Sequence, residues 1–208
     1  MTPPRRARAP SFAKTAQTRQ RIVAAALDSF LGCGFATTRM IDVAERAGVG
    51  KGTIYLYFAD KAALFEGVLR AVIAAPLAGL SGAAPARGEP VRDFLGRVVG
   101  PILRDMESSR RGPVVRLVIT EAARFPELAE AYRRIVIDPG AAAIRALAQR
   151  AVEAGELRSD GLVRFPQLLA APGIMLTLWN GLFAGDEPLD GEAVFAAWLD
   201  LVFGPRSG

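Results

Sequence analysis

The chain has 208 residues, 51% of them hydrophobic and 23% charged, with a formal net charge of +5 at pH 7. That length suits one large or two small domains with a core of their own. Cys33 is the only cysteine and there is no histidine, so no disulfide can form within the chain and a zinc site of the usual Cys/His kind is excluded; we expect no metal and no cofactor.

Charge is unevenly spread. Residues 1–61 carry ten Lys/Arg against four Asp/Glu, net +6, and the remainder sixteen against seventeen, net −1. A positive excess gathered at one end is what neutralising phosphates requires, although a solvated basic face gives the same count. The first 14 residues, with three prolines and Arg5, Arg6 and Arg8, read as a disordered basic arm. Such an arm either reaches into a minor groove or is a tail without a role. No apolar segment follows it, as a secretory signal would need, and the longest apolar stretch, residues 71–80, is short and interrupted by Pro76. The expectation is a cytoplasmic protein without a membrane span.

A first helix over residues 18–31 places Ile22, Val23, Ala26, Leu27 and Phe30 on one stripe. Cys33 continues that stripe, so a small buried packing residue is expected there, with redox sensing as the alternative. A second helix over residues 39–47 has Met40, Val43, Ala44 and Ala47 on one side, Thr38 as its predicted N-cap, and Gly48 where a left-handed residue ends it. A third helix, residues 51–58, turns Ile54, Tyr57 and Phe58 to one arc and Lys51, Gly52, Tyr55 and Leu56 to the other. Helix, tight glycine turn and helix form a helix-turn-helix, whose second helix enters the major groove. Asp60 is placed to cap the next helix, residues 61–77. Lys61 in its first turn opposes the helix dipole unless a phosphate sits beside it.

The run A-G-V-G-K-G-T-I-Y-L-Y-F-A-D-K-A-A-L-F over residues 47–65 closely resembles the DNA-binding signature of the TetR/AcrR family of transcriptional regulators. T-R-Q-R-I-V-A-A-A-L-D-S-F-L-G-C-G-F, residues 18–35, resembles that family's first helix. The resemblance implies a DNA-facing set of Arg39, Lys51, Gly52, Thr53, Tyr55, Leu56, Tyr57 and Lys61. In it, Lys51, Tyr55, Tyr57 and Lys61 lie on phosphates, and Thr53 and Leu56 lie nearer base edges. Gly50 departs from the usual serine or threonine, and as an N-cap it costs only about a few tenths of a kcal/mol.

Beyond a Gly/Ala/Pro loop at residues 79–90, helical segments are expected at about 91–107, 113–124, 126–154, 161–184 and 191–203. Pro126 suits a first helical position, and Pro139-Gly140 should kink or divide its segment. V-V-R-L-V-I-T, residues 114–120, is the one stretch with strand-like branching. Residues 124–158, from R-F-P-E-L to A-G-E-L-R, loosely resemble the carboxy-terminal region of a TetR subgroup. The expected fold is all-α: residues 1–14 the arm, 15–61 the DNA-binding domain, and 62–208 a helical ligand-binding and dimerisation domain.

The resemblance gives the second domain a small-molecule pocket and a dimer interface. Leu178, Trp179, Leu182, Phe183, Trp198 and Leu201 on the last two helices either pair with a second copy or complete the monomer core. Phe94, Met106, Leu117, Phe125, Met175 and Trp179 are candidates to line a pocket, with Arg116 and Glu121 orienting a ligand's polar end; for each of them taken singly, core or solvent-facing is the default. The function implied is a ligand-responsive regulator, a repressor more often than an activator, bound as a homodimer to a palindromic operator and released by a largely apolar effector. The alternatives are a helical binding or interaction protein that never touches DNA, and an enzyme. Against an enzyme, no histidine is available as a base and no Gly-rich phosphate loop follows a strand.

Overall fold

The computed structural model describes residues 12–82 and 84–205, and among them every regular element is helical. The disordered arm expected over residues 1–14 lies mostly at residues 1–11, outside those described, and beyond them the chain is helical: the first helix, α1, starts at Phe12 and runs to Thr37. It is interrupted at Gly34, whose φ of 81° only glycine adopts without strain.

The chain divides into two units, Met1–Val68 and Leu69–Gly208. In the first, α1 is followed by α2 (Met40–Arg46), α3 (Lys51–Tyr57) and most of α4 (Lys61–Leu69). The boundary therefore falls later than the expected residue 61. The reason is packing, since Leu64, Phe65 and Val68 of α4 are at most 1% exposed. The Phe65 ring meets Phe30 and Phe35 edge-on at 5.5 and 5.8 Å, and Phe30 stacks on Phe35 at 5.6 Å. Ile22, Val43, Ile54 and Phe58 complete that core. Gly67 is required under the Phe58 ring, because a Cβ there would lie 2.6 Å from Cε1.

The second unit holds α5 (Ala75–Gly82), α6 (Val91–Arg104), α7 (Arg111–Glu121), α8 (Pro126–Tyr132), α9 (Asp138–Glu153), the short α10 (Gly161–Arg164), α11 (Ala171–Leu178) and α12 (Gly191–Phe203). The β-branched run at residues 114–120 is helical, as part of α7. Wide π-type turns at Arg70–Ala74 and Arg133–Ile137 come just before Pro76 and Pro139. A proline cannot donate to the carbonyl four residues back, and a widened turn absorbs that mismatch without ending the helix. Consequently Lys61–Leu80 is one helical run, longer than the stretch legible in the sequence and, by length and composition, sufficient to cross a membrane. Its Leu64, Phe65, Val68, Leu69 and Ile73 are instead buried in protein.

The core of this unit gathers Val91, Phe94 and Leu95 of α6, Ile144, Leu147 and Ala151 of α9, Leu176 of α11, and Phe195 and Leu199 of α12. A-G-E-L-R proves to be a helix terminator with a second use. Gly155 takes φ 74°, Leu157 turns into the core, and Glu156 accepts a 2.8 Å hydrogen bond from the Val91 amide, placing a carboxylate at the positive end of α6.

Candidate nucleic-acid interface and an apolar cavity

The turn between α2 and α3 is held from outside the motif. Gly48 adopts φ 63°, Val49 donates its amide to the Ala44 carbonyl, and Arg21 of α1 donates to the carbonyls of Ala47 and Gly48 at 2.8 and 3.0 Å. A cation on the carbonyls of the turn just past α2 satisfies acceptors there and lies at the negative end of the helix. Nothing near Arg21 in the sequence signals this role, since its partners lie 26 and 27 residues away.

On α3, Ile54 and Phe58 are buried, Tyr57 is half-buried, and Lys51, Gly52, Tyr55 and Leu56 face out. Leu56 is 84% exposed and Tyr55 47%. Lys51 has no hydrogen bond or ion pair among the described residues. Thr53 is half-buried at the start of the helix, and Gly50 caps α3 without a side chain. The outer surface of α3 is thus a cation, a glycine that permits close approach, a phenol and an unpartnered leucine.

The neighbouring candidates differ from the sequence expectation. Thr38 is buried and donates to the Gly34 carbonyl at 2.7 Å; Arg39 occupies the N-cap of α2, so the cap expected from Thr38 is not made. Arg39 is exposed but engaged twice by Asp42, at 2.8 and 2.7 Å, and this hydrogen bonding holds the Asp42 carboxyl below its ordinary range. Asp60 accepts from the Ala63 amide, as a cap should. Lys61 is half-buried: its ammonium donates to the carbonyls of Phe35 and Ala36 at 2.6 and 3.0 Å and lies 4.5 Å over the Phe35 ring. Its charge is spent on the end of α1 rather than held open for a phosphate. Cys33 is exposed, not buried, and hydrogen bonding with Thr38 and then Thr37 lowers its pKa below that of an ordinary thiol.

The second unit holds a partly open, apolar cavity of about 310 Å³. Ile73, Leu77, Met106, Val115, Ile144 and Ile174 are typical of its wall, and Arg111, Tyr132 and Gln167 are its polar side chains. Burial pushes the Tyr132 phenol up to about 12, so it stays protonated. Of the residues expected to line a pocket, only Met106 does so here. Phe94 and Leu117 are buried elsewhere, Glu121 and Phe125 are half-buried away from the wall, and Met175 and Trp179 are 39% and 45% exposed. Arg116 is taken by structure, binding Glu107 through both nitrogens at 2.7 and 3.0 Å and the Thr177 carbonyl at 3.0 Å. Arg111 and Tyr132 were missed because helical periodicity marks which face is inward but not where the packing leaves space.

Residues 22–68 match the bacterial regulatory proteins of the tetR family, and residues 84–202 the tetracyclin repressor-like C-terminal domain. The chain is 29% identical over 143 residues to YdeS, an uncharacterized HTH-type transcriptional regulator of Bacillus subtilis, with 69% of each protein covered. It is 44% identical over 69 residues to the HTH-type transcriptional regulator RutR of Escherichia coli, a match spanning 33% of this chain and 30% of that one. Salmonella enterica GusR shares the fold, with a TM-score of 0.75 at 21% identity over 94% of this chain and 100% of that one. With both halves matched, and with an outward-facing third helix on a helix-turn-helix, this chain belongs to the TetR family of DNA-binding transcriptional regulators and is not an enzyme.

Proposed function

We propose that this protein is a cytoplasmic, ligand-responsive repressor that binds a palindromic operator as a homodimer and leaves it when a small, largely apolar effector fills the cavity. The observation that carries the reading is the division of α3, with Ile54 and Phe58 anchored in the core while Lys51, Tyr55 and Leu56 stand clear of it. Lys51 and the Tyr55 hydroxyl meet phosphates, Tyr57 adds its hydroxyl from a half-buried ring, and Thr53 and Leu56 reach base edges. Gly52 lets the start of the helix approach the duplex. Arg39 joins them only by exchanging Asp42 for a phosphate, and Lys61 acts mainly by fixing α1.

Two such helices reach successive major grooves about 34–36 Å apart. The effector releases DNA by binding better to a dimer whose reading helices are wrongly spaced. Chain connectivity supports α4 as the lever, since Ile73, four residues beyond its end, lines the cavity. Fluorescence anisotropy with duplex DNA taken from beside the protein's own coding region tests the contact set. Lys51→Ala and Tyr55→Ala are expected to weaken binding, and Lys51→Ala to reduce the salt slope by about 1. Wild-type affinity and slope in both variants would remove α3 from the interface.

A further inference from the structure

Among the residues lining the cavity Arg111 is the one that carries a charge, and no carboxylate is among them. Its Nη1 donates to the Ile102 carbonyl at 3.2 Å, while its Nε is buried with no hydrogen-bond partner. Among the described residues Arg111 has no ion pair. A guanidinium binds carboxylates best through two parallel N–H groups, and here Nη1 is occupied while Nε and Nη2 have no acceptor among the described residues. A desolvated N–H without an acceptor is costly, so the Nε–Nη2 edge is poised for an anion. The Tyr132 hydroxyl, in the same wall, has no hydrogen bond among the described residues and supplies a neutral donor. The rest of the wall is almost wholly hydrocarbon, and about 310 Å³ lies at the small end of ligand cavities.

We propose that the cavity binds a small lipophilic carboxylic acid, whose carboxylate takes the Nε–Nη2 edge of Arg111 and a hydrogen bond from Tyr132, and whose hydrocarbon body fills the apolar remainder. This rests on the effector reading given above and narrows it to a chemical class. A cationic or strongly polar ligand is disfavoured by the unpaired guanidinium and by the apolar wall.

The test uses the full-length protein and three probes of equal chain length: octanoate, 1-octanol and n-octylammonium, with binding followed by titration calorimetry. Octanoate is expected to bind roughly tenfold or more tightly than 1-octanol, and n-octylammonium not measurably. Arg111→Gln should bring octanoate down to the level of 1-octanol while 1-octanol binding is unchanged. An arginine that merely caps the end of α6 through Ile102 would alter stability and leave that ratio intact. Should Arg111→Gln not fold, Tyr132→Phe is expected to lower octanoate affinity severalfold with 1-octanol unaffected. Ala141→Phe, which fills the cavity, should abolish both.

Equal affinity for acid and alcohol in the wild type, no binding of either, an acid preference that survives Arg111→Gln, or binding that survives Ala141→Phe would overturn the proposal. DNA anisotropy in the presence of octanoate is read separately. Octanoate that binds with the expected Arg111 dependence yet leaves DNA bound would sink the effector reading while the carboxylate site stands.

Discussion

Lys61 spends two of its three N–H donors on the carbonyls of Phe35 and Ala36, 26 and 25 residues upstream. Lys61→Met keeps the apolar stem over Phe35 and removes both charge-assisted hydrogen bonds, so a loss of about 1–2 kcal/mol is expected in urea denaturation. Lys51→Met, without partners to lose, should change stability by less than about 0.5 kcal/mol. Equal effects on stability would mean that the Lys61 contacts contribute nothing. Cys33 gives a second test: its lowered pKa means more thiolate at a given pH, so iodoacetamide should react with a lower pH midpoint than it does with an unperturbed thiol. Thr38→Val removes the largest cause and should move the midpoint upward. At this scale the face of α3 was legible, because a period of 3.6 residues sorts Ile54 and Phe58 from Lys51 and Tyr55. Which cations were free was not legible, because Arg21 and Lys61 find their acceptors at helix ends far along the chain.

Helix order was readable from prolines, glycines and apolar spacing, and the segments expected near residues 91, 126, 161 and 191 all begin helices there. Prolines act here through the turn before them: π-type turns just ahead of Pro76 and Pro139 keep the chain helical, although the segment expected at 126–154 is divided, into α8 and α9, just before Pro139. Close approach between elements is invisible in sequence. At Gly191, the first residue of α12, a Cβ would lie 2.3 Å from the backbone oxygen of Leu103 in α6. Backbone cannot swing aside as a side chain can, so Gly191→Ala must push α12 off α6, and a loss of about 1–3 kcal/mol is expected. Asp190 before it caps α12, accepting from the amides of Glu192 and Ala193 at 2.8 and 3.2 Å, and Asp190→Ala should cost about 1 kcal/mol. Thermal melts test both variants: a Gly191→Ala chain that melts with the wild type would mean that α6 and α12 are not locked at that crossing.

The expected homodimer has its physical motive in the second unit. Leu182, Phe183 and Leu201 are 63%, 69% and 80% exposed, and Trp179 packs its ring 6.3 Å from Phe183 on the same stretch. Single exposed apolar residues are ordinary, but a group of large ones just past the end of α11, with Leu201 exposed on α12 as well, is what a partner surface looks like. Burying it against a second copy would remove several large side chains from water on each side, and a two-fold arrangement makes the same patch serve both chains. Dimerisation also bears on DNA: two linked reading helices convert the second half-site contact into an intramolecular event, a gain on the order of 100-fold or more. The double substitution Leu182→Glu with Phe183→Glu places two carboxylates on already exposed positions, so the fold of each chain should survive while association fails. Sedimentation is expected to show a dimer for the wild type and a monomer for the variant, with operator affinity falling by about two orders of magnitude and half-site affinity unchanged. A variant that stays dimeric would place the interface elsewhere, and a monomeric variant that still holds the full operator at wild-type strength would mean that DNA binding does not depend on pairing.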